Sequence, residues 1–170
     1  KKLKKNCDYV LNDFWSYNKL KNILNRKKLN KPKIITAIGM FYDLEDPNKF
    51  IKDSALALDE KGIFIAQLMC FKSMIQKNDL GNICHEHIEF YSLKSLKYLF
   101  ENNGLEIFKI QENNINGGSY RIFCRKLKKG SIKLMKENIL TSVKKFVKRV
   151  KENRLNTMKF IANEIKKNKK

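Results

Sequence analysis

Residues 34–69 read IITAIGMFYDLEDPNKFIKDSALALDEKGIFIAQLM. Two apolar, β-branched runs, Ile34–Met40 and Ile63–Met69, enclose a segment with a different period. A continuous apolar run of this kind suits a strand covered on both faces. Between the runs, Asp46 and Pro47 supply a helix N-cap and a first-turn proline. Phe50, Ile51, Ala55 and Leu58 then recur at helical spacing, and Gly62 stops the helix. Strand, helix, strand is the unit from which α/β sheets are built.

The same grammar extends outward. Downstream, Ser92 caps a helix carrying Leu93, Leu96, Leu99 and Phe100, which Asn103-Gly104 closes. Leu105–Ile110 and Tyr120–Cys124 read as two more strands, separated by the turn-rich NNINGGS. That connection is too short for a parallel crossover, so the pair is expected antiparallel, at one edge of an otherwise parallel sheet. Upstream, Cys7–Phe14 reads as a short buried strand with an Asp turn, and Leu20–Leu29 as a basic helix. From Gly130 on, Ile132, Met135, Ile139, Val143, Phe146 and Val150 mark an amphipathic helix. A second helical stretch through Leu155, Met158, Ile161 and Ile165 follows, with a break expected near Asn153–Asn156. The expectation is an α/β domain over 1–126 and a basic helical extension over 127–170, its apolar stripe docked on the body, on an absent domain or on a second subunit. The rival reading lays that helix on anionic lipid.

The chain of 170 residues carries a formal charge of +20, which invites a nucleic-acid reading. The charge is badly placed for it. Residues 1–33 carry +9 and 126–170 carry +13, while 34–125, which hold most of the strands, carry −2. Of 37 basic residues 32 are Lys, whereas bidentate phosphate or guanine recognition favours the Arg fork. No specific nucleic-acid partner is expected. The runner-up function is nonetheless a non-catalytic basic domain that binds RNA or anionic surfaces, which a steep salt dependence would reveal. No apolar run approaches the roughly 18 residues of a membrane span. Cys7, Cys70, Cys84 and Cys124 are scattered without a CxxC pair, so reduced thiols, a cytoplasmic location and no metal site are expected.

One loop stands out chemically. Ile83–Ser92, ICHEHIEFYS, holds the only two histidines of the chain, two apart around a glutamate. It follows a strand and precedes a helix, and ligands of open α/β sheets bind beyond the strands' carboxyl ends. If the segment is extended, His85 and His87 face one way and Glu86 the other. An imidazole, a carboxylate to orient it and the nearby Cys84 thiol suit proton abstraction by a general base. A metal pair lacking an evident third ligand, a Cys84–His87 nucleophile and two packed structural histidines are the alternatives.

ICHEHIEFYSLKSLKYLFENNGLEIFKI, followed by NGGSYRIFCRK, resembles the S-adenosylmethionine-dependent C-methyltransferases that act on nucleotide-linked keto-deoxysugars. Those enzymes carry a Tyr-His-Glu-His loop, a Ser-Leu-rich helix, a GLE strand and a His/Asn-Gly-Gly-Ser turn. Upstream, MFYDLEDPNKFI and LDEKGIFIAQL are similar to the family's fourth-strand exit, next helix and fifth strand, and the likeness runs over about 7–168. It implies a class I methyltransferase (Rossmann-like) sheet, a sugar-nucleotide substrate and S-adenosylmethionine as cofactor. It implies His87 as the base that makes an enolate beside the ketone, with Glu86 orienting base or substrate and Cys84 and His85 in the same loop. Asn116, Gly117, Gly118 and Ser119 would border the substrate. Asp13 and Phe14 would lie near the adenine of the cofactor, and Ala37, Ile38, Gly39 and Met40 near its methionine portion.

Two departures weaken the sugar part of the likeness. Cys84 stands where the family has a loop tyrosine, and Ile38 and Asp43 occur where the sugar enzymes often have Asn and His. A small carbonyl acceptor therefore stays open. No glycine-rich GxGxxG loop follows any strand, so the chain maps onto the family from about its third strand and is expected to be an internal piece. The family's sheet order, 3-2-1-4-5-7-6, would then leave Ile34–Met40 as an apolar open edge. Weak or no cofactor binding, and no turnover, is expected of the isolated chain; micromolar affinity by calorimetric titration would contradict this.

Overall fold

The computed structural model describes residues 7–128 and 139–167. Helix α1 (Tyr17–Lys27) leads into strand β1 (Ile34–Ile38), a 3-10 turn (Phe41–Asp43) and α2 (Pro47–Ala57). Strand β2 (Ile63–Met69), α3 (Phe71–Lys77) and α4 (Leu93–Asn102) follow. A hairpin of β3 (Leu105–Asn113) and β4 (Ser119–Lys126) precedes the long helix α5 (Ile139–Lys167). The four strands form one sheet in the order β1-β2-β4-β3.

Strands β1 and β2 are parallel, Ala37 facing Ala66, while β4 runs antiparallel to both β2 and β3. The hairpin does sit at one edge, but its reversed strand is the inner one. The expected antiparallel edge strand is thus displaced by one place, with β3 outermost. The turn at Ile115–Gly117 is too short to carry β4 across the sheet, so β4 returns beside β3 and its free side takes up β2.

Phe64, Ala66 and Leu68 of β2 and Tyr120, Ile122 and Cys124 of β4 alternate onto one face, where Ile51 and Leu58 of the α2 segment and Leu96 and Phe100 of α4 bury against them. Phe100 stacks on Phe41 at 5.5 Å between ring centroids, which ties the β1 exit into this core. Asp46 caps α2 by accepting from the Lys49 N–H at 2.9 Å, ahead of Pro47. Asp46→Ala should cost about 1 kcal/mol in chemical denaturation, the usual worth of an N-cap. Ser92 and Ser95 form a reciprocal capping box at the start of α4.

Several expectations need correcting. Residues 7–14 form no strand: Tyr9, Val10 and Leu11 are exposed, because no neighbouring strand takes up their backbone. Strand β1 is not covered on both faces; Ala37 is buried, but Ile34 and Ile38 are 63% and 53% exposed. It is an open edge strand, as the family sheet order implied for this segment. Helix α2 ends at Ala57 rather than Gly62, and Asp59–Gly62 forms a turn. Helix α5 runs unbroken through Asn153–Asn156, since Asn lowers helix propensity without breaking a helix as Pro does. Its Val143, Phe146 and Val150 pack with Met74 and Ile75 of α3, and Arg149 donates to the Ile75 carbonyl. Beyond Val150, Leu155, Met158, Ile161 and Ile165 are exposed; Ile132 and Met135 lie outside the described residues.

Among the described residues no helix is long and apolar enough to cross a membrane. Cys7 and Cys84 are exposed, Cys70 and Cys124 buried, and burial pushes the Cys124 thiol well above its ordinary pKa. Alkylation of the native chain should therefore show two fast and two slow thiols by mass spectrometry, all four equalising in denaturant.

Candidate active site at the strand ends

At the carboxyl end of β1 and β2, where β4 begins, a cleft of about 160 Å³ opens. It is lined by Gly39, Tyr42, Gln67, Leu68, Met69, Asn82, His87, Asn116 and Ser119. Four separate segments converge there: the β1 exit, the end of β2, the loop between α3 and α4, and the turn that starts β4. Gly39 is held at φ +66 with its N–H on the Gln67 carbonyl at 2.9 Å. The left-handed turn sends the chain back over the strand end, which brings Tyr42 to the cleft. Beneath it, Gln67 accepts from Arg121 Nε at 3.1 Å and from Arg121 Nη2 at 2.8 Å, filling its carbonyl oxygen on the sheet.

His87 is fixed on two sides. Its Nδ1 lies 2.8 Å from the Asn82 carbonyl oxygen, and its ring meets Tyr42 edge-on at 4.5 Å. A carbonyl only accepts, so Nδ1 carries the hydrogen and a neutral ring keeps its lone pair on Nε2. The loop is held against the β1 exit because the Tyr42 carbonyl accepts from Ile88 N at 3.2 Å and Glu89 N at 3.1 Å. Burial, then the charges of Asp43 and Cys84, raises the Tyr42 pKa above its ordinary value, so at neutral pH it is a phenol able to donate.

The loop is not extended, so its expected pairing of faces changes. The His87 N–H closes a turn on the Cys84 carbonyl at 3.2 Å. His85 and Glu86 point to solvent with side chains 91% and 72% exposed, 3.9 Å from each other. Glu86 thus stands apart from the His87 ring, whose Nδ1 is held by the Asn82 carbonyl. Cys84 is exposed and, with His85, is outside the cleft lining. Of the glycine turn, Asn116 and Ser119 line the cleft, while Gly117 and Gly118 shape it through φ of +79 and +136. Among the described residues no cluster of His, Cys, Asp or Glu could hold a metal ion.

The residues expected around a cofactor do not converge. Gly39 alone of its strand exit reaches the cleft: Ala37 is buried in the core, Ile38 lies on the open edge and Met40 packs on the core. Asp13 and Phe14 line a separate shallow pocket with Asn12, and Phe14 is 91% exposed. Asp13 pairs with Lys19 and accepts from the Phe14 N–H, which together hold its carboxyl below the usual range. Tyr42, Asn82, Gln67, Leu68 and Met69 were not singled out in the sequence. Tyr42 had a usable signal, an aromatic just past the glycine that ends a strand; Asn82 contributes through its backbone and had none.

The profile of a family described as methyltransferase domain matches residues 4–110. The chain belongs to that family. C-methyltransferase NovU from Streptomyces niveus is 28% identical over 84 residues, covering 49% of this chain and 20% of NovU. The chain thus spans about a fifth of that relative's length. Among solved structures, LepI in complex with SAM aligns at a TM-score of 0.48 and 10% identity, covering 58% of this chain and 27% of LepI. Mitomycin 7-O-methyltransferase MmcR aligns at 0.46 and 11% identity, covering 65% and 39%. In this methyltransferase domain the cleft lies at the strand ends where open α/β sheets take ligands.

Proposed function

We propose that this methyltransferase domain is the acceptor-side part of an S-adenosylmethionine-dependent C-methyltransferase in which His87 removes a proton beside a ketone. The observation that carries the reading is the His87 ring, fixed through Nδ1 by the Asn82 carbonyl in one cleft with Tyr42, Asn116 and Ser119. NovU is named a C-methyltransferase, and the HEH loop and NGGS turn resemble those of enzymes acting on nucleotide-linked keto-deoxysugars. The acceptor in this reading is a sugar nucleotide that carries a ketone.

The chain's own residues account for the acid–base half of the reaction. His87 Nε2 takes the proton from the carbon next to the carbonyl, and the electron pair moves onto the ketone oxygen as an enolate. Asn82 stabilises the imidazolium that results, because its carbonyl faces the Nδ1 hydrogen. Tyr42 donates its phenolic hydrogen to the developing enolate oxygen, where a preoriented donor acts most strongly. Asn116 and Ser119 supply the polar edge that orients the sugar.

S-adenosylmethionine, when bound, supplies an electrophilic methyl group to the carbon that His87 deprotonates. Gly39 fits its approach: a Cβ built there would meet no atom closer than the Tyr42 hydroxyl at 4.0 Å, so the bare backbone leaves room at the cleft. Asp13 and Phe14 lie outside the cleft, in a separate pocket with Asn12.

The test uses the acid–base half alone. The chain is incubated in D₂O with a nucleotide-linked keto-deoxysugar, without methyl donor, and deuterium at the carbon beside the ketone is followed by mass spectrometry. Exchange well above the buffer rate is expected; exchange at the buffer rate would overturn the reading.

A further inference from the structure

The loop between α3 and α4 begins Asn78-Asp79-Leu80-Gly81-Asn82, a run of which the acid–base chemistry uses only the Asn82 carbonyl. Asn78 takes the left-handed conformation at φ 58 and ends α3. Asp79 then faces two ways. One carboxylate oxygen accepts from the Gly81 N–H at 2.9 Å, and the other accepts from the Asn82 side-chain amide at 2.8 Å. The same Asn82 presents its backbone carbonyl to His87 Nδ1 at 2.8 Å. On the far side, a Cβ on Gly117 would come within 2.7 Å of the Asp79 carboxylate, so the aspartate is seated directly against the glycine turn. Lys77 fastens that contact by donating to the Gly117 carbonyl at 2.6 Å.

We infer that Asp79 is a positioning residue for His87, acting through Asn82 and locking the His87 loop to the Asn116–Ser119 turn. This rests on the reading of His87 as the base. The physical reason is geometric. Both hydrogen bonds of Asp79 close short loops, of two and three residues, so they fix where the Asn82 backbone stands. The Asn82 carbonyl in turn selects which ring nitrogen bears the hydrogen. Without that carbonyl in place, a neutral imidazole samples both tautomers, and in one of them Nε2 carries a hydrogen and cannot accept the substrate proton. The seat against Gly117 makes one carboxylate responsible for the spacing between base and polar edge.

The chain holds two histidines, His85 exposed and His87 fixed, which makes the tautomer directly observable. Long-range ¹H–¹⁵N spectra of the full chain above pH 8 should show His87 as the Nδ1–H tautomer and His85 as a free-imidazole mixture. In Asp79→Ala and in Asn82→Ala, each of which breaks the same side-chain hydrogen bond, the His87 signals should move to the mixed pattern of His85. Deuterium exchange into the keto sugar should fall roughly 10- to 100-fold, mainly in kcat, as expected for a displaced reacting group. Melting curves accompany both variants; if Asp79→Ala does not fold, Asn82→Ala alone decides. A retained Nδ1–H pattern in the folded variants would overturn the inference. A wild-type chain that shows the Nδ1–H tautomer, loses it in both variants, yet exchanges no deuterium would instead refute His87 as base and leave the positioning intact.

Discussion

Replacing His87 by Asn should reduce deuterium exchange beside the ketone by about 10²- to 10⁴-fold, the usual contribution of a positioned general base. Asn is the informative substitute because its side-chain amide can still donate to the Asn82 carbonyl, the contact that His87 makes through Nδ1 at 2.8 Å. The loop then keeps its anchor on the Tyr42 carbonyl, and melting should shift little. What is lost is the atom that accepts a proton, since an amide nitrogen has no basic lone pair. His85→Asn and Glu86→Gln are the matched controls. Both side chains stand in solvent, and neither lines the cleft, so exchange should stay within about twofold of the parent. Equal losses at positions 85, 86 and 87 would mean that the loop matters only as a folded unit, and the acid–base reading would fail.

That contrast also marks how far local sequence reaches. Strand β2 was readable end to end because IFIAQLM combines β-branched and apolar residues without a polar break other than Gln67. The starts of α2 and α4 were readable because Asp46-Pro47 and Ser92 are chemical signals that act over three residues. Helix α3 was missed for the opposite reason. Its seven residues are too few to display a 3.6-residue period, and its N-cap is the sulfur of Cys70, which accepts from the Ser73 N–H at 3.3 Å. The order of the sheet demanded the resemblance; hairpin length alone makes β3 and β4 antiparallel but cannot say which of them lies beside β2. In the site, His87, Asn116 and Ser119 were legible because each belongs to an unusual short motif. Tyr42 joins them only when the β1 exit folds over, and Asn82 acts through a carbonyl that every residue possesses. Period-two reasoning put His85 and His87 on one face, but the segment is a turn, so His85 stands in solvent while His87 lines the cleft.

Gly118→Ala should be the most damaging single-carbon addition near the site. Gly118 sits at φ +136 and ψ 127, outside the regions open to L-residues, and a Cβ there would stand 2.5 Å from Ser73 Cβ and 2.7 Å from Ser73 Oγ. A Cβ cannot rotate away from its own backbone, so α3 and the start of β4 would have to separate. Doing so strains the bond from Cys70 N–H to the Gly118 carbonyl, 3.0 Å long, which joins the end of β2 to that turn. Backbone strain of about 1–3 kcal/mol and overpacking of about 1–3 kcal/mol act together, for a loss of roughly 3 kcal/mol in urea denaturation. Ser73→Gly in the same chain removes both overlapping atoms but leaves the dihedral strain. The double variant should therefore recover about 1–2 kcal/mol relative to the sum of the single changes, a coupling that separated residues do not show. Gly39→Ala makes the comparison sharp: its Cβ would meet only the Tyr42 hydroxyl at 4.0 Å, so it carries the left-handed penalty of about 1–2 kcal/mol without overlap. A Gly118→Ala chain as stable as the parent would mean that the turn bearing Asn116 and Ser119 is not seated on α3, and the cleft would lose the wall that places its polar edge opposite His87.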